Sequence, residues 1–291
     1  MNPLPSGGQP GGTRAALIDV FHRQRHWAEE QGLRLTPAGN RFLDRRDALF
    51  AGAIDVEVEQ MLLEGAGGEL DRIASLRSSS CLVLNVFGPW RQHPSVLARV
   101  LGVETQHAQV SFEQKMPTGL AGTPPHLDVL LDTPTLTIGI EAKFLEIYGR
   151  TPNSLSSSYF RPGVWGGLDA CRRLAERIRD GDAMFQWLGA AQLLKHALGL
   201  SANRGNFRLM LVWYRVDHPV AVEIDREIRR FEDAVGHEID FSAVTYQELI
   251  PRFDSTYEPL PGYYAYLANR CGLSTSETGA NRSVVNVRGG R

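Results

Sequence analysis

Leu136-Thr137-Ile138-Gly139-Ile140-Glu141-Ala142-Lys143-Phe144 is the stretch on which the fold turns. Leu136, Ile138, Ile140, Ala142 and Phe144 alternate with Thr137, Gly139, Glu141 and Lys143, the period-two pattern of a β-strand. Side chains two apart on a strand share a face, so Glu141 and Lys143 are neighbours. An acid and a lysine in an otherwise apolar strand are costly to bury unless each has a partner or a task.

The preceding segment, 127–131, has the same character. Leu127, Val129 and Leu131 share one face, and Asp128, Leu130 and Asp132 share the other. A hairpin turning symmetrically about Pro134-Thr135 sets Asp128 opposite Glu141. Two carboxylates that close repel unless a cation lies between them. Hard oxygen donors in a partly open site suit Mg²⁺ or Mn²⁺. Glu113, in a third candidate strand over 108–116, adds another carboxylate if that strand lies alongside. The competing reading is a cross-strand salt bridge with no chemistry attached.

Outward toward the C-terminus, 183–200 reads as an apolar helix and 207–216 as a buried strand. An amphipathic helix over 223–235, a short strand over 241–246 and a final helix over 263–271 follow. Residues 145–182 read as irregular. Toward the N-terminus the pattern is helical. Helices are predicted over 13–31, 36–63, 69–76 and 94–101, while 81–87 is apolar throughout and ambiguous between helix and strand. Thr36-Pro37 has the form of an N-cap followed by proline in the first turn, and Gly65-Ala66-Gly67-Gly68 the form of a stop. The expected architecture is α/β: one domain over 13–273, with a helical layer (13–107) on a sheet-bearing core (108–273). Residues 1–12 and 274–291 read as solvated tails.

Composition narrows the function. Of 291 residues, 31 are Lys or Arg and 33 Asp or Glu, a formal charge of −2, so no global field draws the chain to a polyanion. A nucleic-acid partner must then be met by a local basic patch or by metal ions. Three cysteines without CxxC spacing fit no disulfide framework, and a reducing cytoplasm is the expected home. No apolar run approaches the roughly 18 residues of a membrane span, and the first twelve residues lack the form of a secretory signal. Phosphate-loop, HExxH and GxSxG patterns are absent from the sequence.

An Asp on one strand and Glu-x-Lys on the next, here Pro125-His126-Leu127-Asp128 and Ile140-Glu141-Ala142-Lys143, resembles the PD-(D/E)xK nuclease superfamily. The wider context resembles a bacterial restriction endonuclease family. The matching pieces are Gly68-Glu69-Leu70, Ser79-Ser80-Cys81-Leu82 through Asn85-Val86-Phe87, Phe112-Glu113, and Glu141-Ala142-Lys143-Phe144-Leu145-Glu146. The resemblance implies a restriction-endonuclease-like mixed central sheet flanked by helices. It implies a Mg²⁺- or Mn²⁺-dependent nuclease acting on duplex DNA, with a homodimer left open; a fold retained only for binding or scaffolding is the alternative. Asp128 and Glu141 are then metal ligands, with the Ala142 carbonyl as a further ligand. Lys143 orients the attacking water or steadies the phosphate charge. Either Glu69 or Glu113 is the third acid. Gln192, on the 183–200 helix, matches a Gln that some members place beside the site; four residues on, where those members carry Tyr, this chain has His196.

Residues 145–181 mix aromatics with arginines, a composition suited to nucleic-acid contact as well as to an insertion folded on itself. Arg161, Arg172, Arg173 and Lys195 are the candidate phosphate contacts.

Overall fold

The computed structural model describes residues 11–64, 69–253 and 257–274. Its centre is a five-stranded mixed sheet whose strands lie side by side in chain order. β1 (Gln109–Lys115), β2 (His126–Asp132) and β3 (Thr137–Lys143) run antiparallel to one another as a meander. β4 (Phe207–Trp213) and β5 (Asp240–Thr245) continue the sheet in parallel from β3. Parallel neighbours need a crossover, and helices supply both. β3 therefore lies at the sheet's centre, paired on both sides, and six of its seven residues are buried.

The hairpin register is the expected one: Val129 pairs with Ile140, Leu130 with Gly139 and Asp132 with Thr137. Continued by one position, it brings Asp128 beside Glu141.

The N-terminal layer consists of α1 (Gly11–Glu30), α2 (Val56–Glu64), α3 (Glu69–Ile73), α4 (Ser79–Phe87) and α5 (Pro94–Val100). The ambiguous run 81–87 is helical and buried throughout, because α4 packs on β2 and β3 beneath the rest of the layer. Its entry is fixed by Ser78, whose side chain accepts the Cys81 N–H.

The single helix expected over 36–63 is not formed. Thr36 instead opens a tight turn in which Gly39, at φ +65°, donates to the Thr36 carbonyl, and Leu35 bridges Phe42. A one-turn 3₁₀ segment follows at Arg45–Ala48, capped by Asp44, and α2 starts only after Asp55 accepts the Val58 N–H. The turn is held from outside. Arg41 bridges Ser75, and the Phe42 ring packs against the buried Arg270. The expected stop at 65–68 lies outside the described residues, as do the expected tails apart from Gly11, Gly12 and Ser274.

Two further differences follow β3. The segment 145–182 contains a regular helix, α6 (Asp169–Asp180), with Ala170, Cys171, Leu174, Ala175 and Ile178 buried and Gly181 ending it at φ +81°. Its arginines occupy the outer face. α7 (Ala190–Asn203) starts seven residues later than expected. The buried Glu227 carboxylate accepts the N–H groups of Gln186, Trp187 and Leu188, while Asn153 Oδ1 accepts that of Ala191. These long-range bonds satisfy the backbone before the helix begins. α7 packs on β3 and β4, and α8 (Pro219–Val235) on β5.

A short helical turn, α9 (Tyr246–Leu249), follows β5. The described chain closes with α10 (Tyr263–Tyr266), which continues as a π-helical turn, Leu267–Cys271. This end returns to α1. Tyr266 meets Trp27 edge to face at 5.4 Å, and Arg270, 2% exposed, lies over the rings of Trp27, Phe42 and Tyr266. Among the described residues no helix is long and apolar enough to cross a membrane.

Candidate active site

Strand geometry delivers the carboxylates. Glu141 sits on the central strand and is 2% exposed, because α7 covers that face. Its two oxygens are met separately: Lys143 Nζ lies 2.5 Å from Oε1 and His196 Nε2 lies 2.8 Å from Oε2. Asp128 Oδ2 accepts the Ala142 N–H at 2.6 Å, crossing from β2 to β3. Lys143 also donates to Gln192 Oε1 on α7 at 3.1 Å. The four-residue spacing of Gln192 and His196 thus turns one stripe of α7 onto Lys143 and Glu141.

Glu113 joins from β1. Its carboxylate lies 3.9 Å from His126 Nδ1. It is the one non-glycine residue with positive φ among the described residues, at +50°, inside a strand whose pairing with β2 keeps register on both sides. A left-handed conformation in a residue with a Cβ costs about 1–2 kcal/mol, and strain of that kind concentrates at functional sites.

Glu113, Asp128, Glu141, Lys143 and Gln192 line one cavity of about 560 Å³, with His126 and Glu146 among its walls. Glu146 accepts the Phe144 N–H at 3.1 Å. Glu69 begins α3, but its side chain lies outside the described residues. Arg161, Arg172, Arg173 and Lys195 do not line this cavity. Arg172 pairs with Asp169 and Glu176 along α6, and Lys195 lies over the Tyr159 ring. His126, Glu146, Arg41, Arg72 and Arg77 do line it and were not among the residues expected to act there.

The electrostatics are divided. Burial, then the charges of Glu141 and Glu113, push the Asp128 carboxyl well above the usual carboxylate range, against the pull of Lys143. Burial also pushes Glu141 upward, but Lys143 and His196 outweigh it and bring the group down to about 2. Burial works against the Lys143 ammonium, yet the carboxylates of Glu141 and Asp128 raise its pKa. One acid is held ionised and its neighbour is held toward the neutral form, a pairing that an added cation would relieve.

The donor set is hard oxygen. Among the described residues no three His, Cys, Asp or Glu side chains gather as a cage. An ion here would take the two carboxylates of Asp128 and Glu141 and complete its shell with backbone oxygen, water and phosphate, the usual arrangement for Mg²⁺.

A family model described as Restriction Endonuclease associating with ARP matches residues 18–272. The chain belongs to this family. The match spans α1 to the last described helix, so the helical layer and the sheet fall within it together. The mixed sheet flanked by helices agrees with a restriction-endonuclease-like fold, and the family is nuclease-like in function. No curated protein and no solved structure matches the chain.

Proposed function

We propose that this member of the restriction endonuclease family is a Mg²⁺- or Mn²⁺-dependent nuclease of the PD-(D/E)xK type that hydrolyses phosphodiester bonds in duplex DNA. The observation that carries the proposal is the convergence of Asp128, Glu141 and Lys143 in one cavity, with Asp128 pushed toward its neutral form by burial and then by its acidic neighbours.

In this reading Asp128 and Glu141 hold the ion, and the Ala142 carbonyl is a further ligand. A bound divalent ion would polarise the phosphoryl oxygen and offset its developing charge. Lys143 has donors only. Fixed between Glu141 and Gln192, its ammonium steadies negative charge on the phosphate or orients the incoming water. Lys143, together with His196 beneath it, keeps the Glu141 carboxylate ionised. Hydrolysis forms a bond from water oxygen to phosphorus and breaks the ester bond to the departing strand. Glu113 is the favoured third acid, since its charge already acts on Asp128.

The experiment is Mn²⁺ calorimetry on the wild type and Asp128→Asn, paired with cleavage of duplex DNA, single-stranded DNA and RNA. Metal binding lost in Asp128→Asn together with metal-dependent cleavage of duplex DNA is the expected result. Equal metal binding in both proteins removes Asp128 from the site. A wild type that cuts none of the three substrates with either metal favours the binding-module alternative.

A further inference from the structure

The cavity has a second part to its lining, drawn from the N-terminal layer: Arg41, Arg72, Ser75, Arg77 and the serines that open α4. These residues are built into place. Arg41 bridges Ser75, the Phe42 N–H donates to the Ala74 carbonyl at 2.9 Å, and the Leu76 N–H to that of Asn40 at 3.0 Å. Arg41 Nη2 donates to the Asp71 carbonyl at 2.6 Å, and the Arg77 guanidinium lies over the Phe21 ring at 5.1 Å. Ser75 and Ser78 accept the N–H groups of Arg77 and Cys81, which leaves each hydroxyl proton to donate elsewhere.

Among the described residues neither Arg41 nor Arg77 has a carboxylate within ion-pair distance. Across the cavity Glu141 is answered by Lys143 and His196, Asp128 accepts the Ala142 N–H, and Glu113 lies 3.9 Å from His126 Nδ1. Cations placed to neutralise those acids would contact them. Two unneutralised guanidinium groups and a pair of acids able to hold a metal, facing one space, are jointly complementary to a phosphate chain.

We infer that Arg41 and Arg77 hold the sugar–phosphate backbone of the substrate strand next to the bond that is cut. The inference rests on the nuclease reading and deepens it. The helical layer becomes the substrate clamp, and the arginines of 145–181 are not required for it.

The test is the salt dependence of binding by the full-length chain in chelator, where cleavage is suppressed. The probes are short duplex DNA with 5′-phosphate ends and the same duplex with 5′-hydroxyl ends. Each phosphate contact contributes about 0.9 to the slope of log K against log salt concentration. The double variant Arg41→Gln/Arg77→Gln should flatten that slope by nearly two on both duplexes, and Arg41→Lys/Arg77→Lys should restore most of it. The single variants Arg41→Gln and Arg77→Gln should each remove about half, and each provides the readout if the double variant does not fold.

An unchanged slope overturns the inference. So does a Lys pair that loses as much as the Gln pair, which marks a structural role, or a loss confined to the 5′-phosphate duplex, which marks a terminal-phosphate subsite. Wild-type cleavage with Mn²⁺ is measured alongside. A wild type that cuts while the slope is unchanged defeats the arginine assignment alone. A wild type that cuts nothing defeats the nuclease reading.

Discussion

Asp128 Oδ2 and the Ala142 N–H are joined at 2.6 Å, so the first acid of the pair is locked to the strand that carries the second. This bond fixes the carboxylate but does not remove the repulsion from Glu141 and Glu113, and burial makes that repulsion costly.

The Asp128→Asn change should therefore stabilise the metal-free protein. Because the folded-state pKa of Asp128 is raised, folding favours the protonated form. Stability from this group is full below its unfolded pKa near 3.8 and is lost as pH rises toward the folded value. Asparagine removes that loss. In chelator at pH 8, thermal unfolding should show the variant ahead by about 1 kcal/mol or more, the worth of one pKa unit, with the advantage shrinking as pH falls toward 4. With Mn²⁺ the order should narrow or invert, since only the wild type gains from binding. A variant less stable than wild type at pH 8 in chelator contradicts this reading of Asp128.

Glu113→Gly should raise stability by about 1 kcal/mol in denaturant titration, because glycine adopts φ near +50° without the Cβ penalty. The same change should lower cleavage. Stability gained with activity retained would show that the strained conformation serves no chemical purpose.

His196 is fully buried against Glu141. His196→Ala leaves a cavity and takes one partner from a buried carboxylate, so urea unfolding should show a loss of about 2–4 kcal/mol. A loss below about 0.5 kcal/mol would mean that Lys143 alone supports Glu141.

The sheet and its acids were legible because their signals are local. The alternation around Glu141, the Pro134-Thr135 turn and the register of the hairpin are all determined by neighbours in sequence. The site beyond them depends on distant partners. In the sequence His196 shares a helix face with Gln192, and only the packing of α7 on β3 gives it Glu141. The segment at Thr36 carries a genuine helix-start signal, yet Gly39, the bridge to Ser75 and the clamp of Arg270 on Phe42 override it. That override is what carries Arg41 to the cavity, a position that a continuous helix over 36–63 does not predict. α6 carries a helical signal of its own, since its buried residues recur at helical spacing, but the arginines between them mask the apolar pattern.

In the proposed reaction Glu141 and Lys143, two residues apart on one strand, do different work. Lys143→Met keeps the length and removes the charge. The direct measurement is the cleavage rate of supercoiled plasmid DNA by wild type and Lys143→Met, with Mn²⁺ titrated into each protein in parallel. The wild type should cut only with metal. The variant should bind Mn²⁺ at least as tightly, because the ammonium competing for Glu141 is gone, while its rate falls by roughly two orders of magnitude or more, the scale for losing one preorganised stabiliser of transition-state charge. A Lys143→Met protein that cuts at the wild-type rate, or a wild type that cuts equally well in chelator, would contradict the account and return this strand to a buried salt bridge.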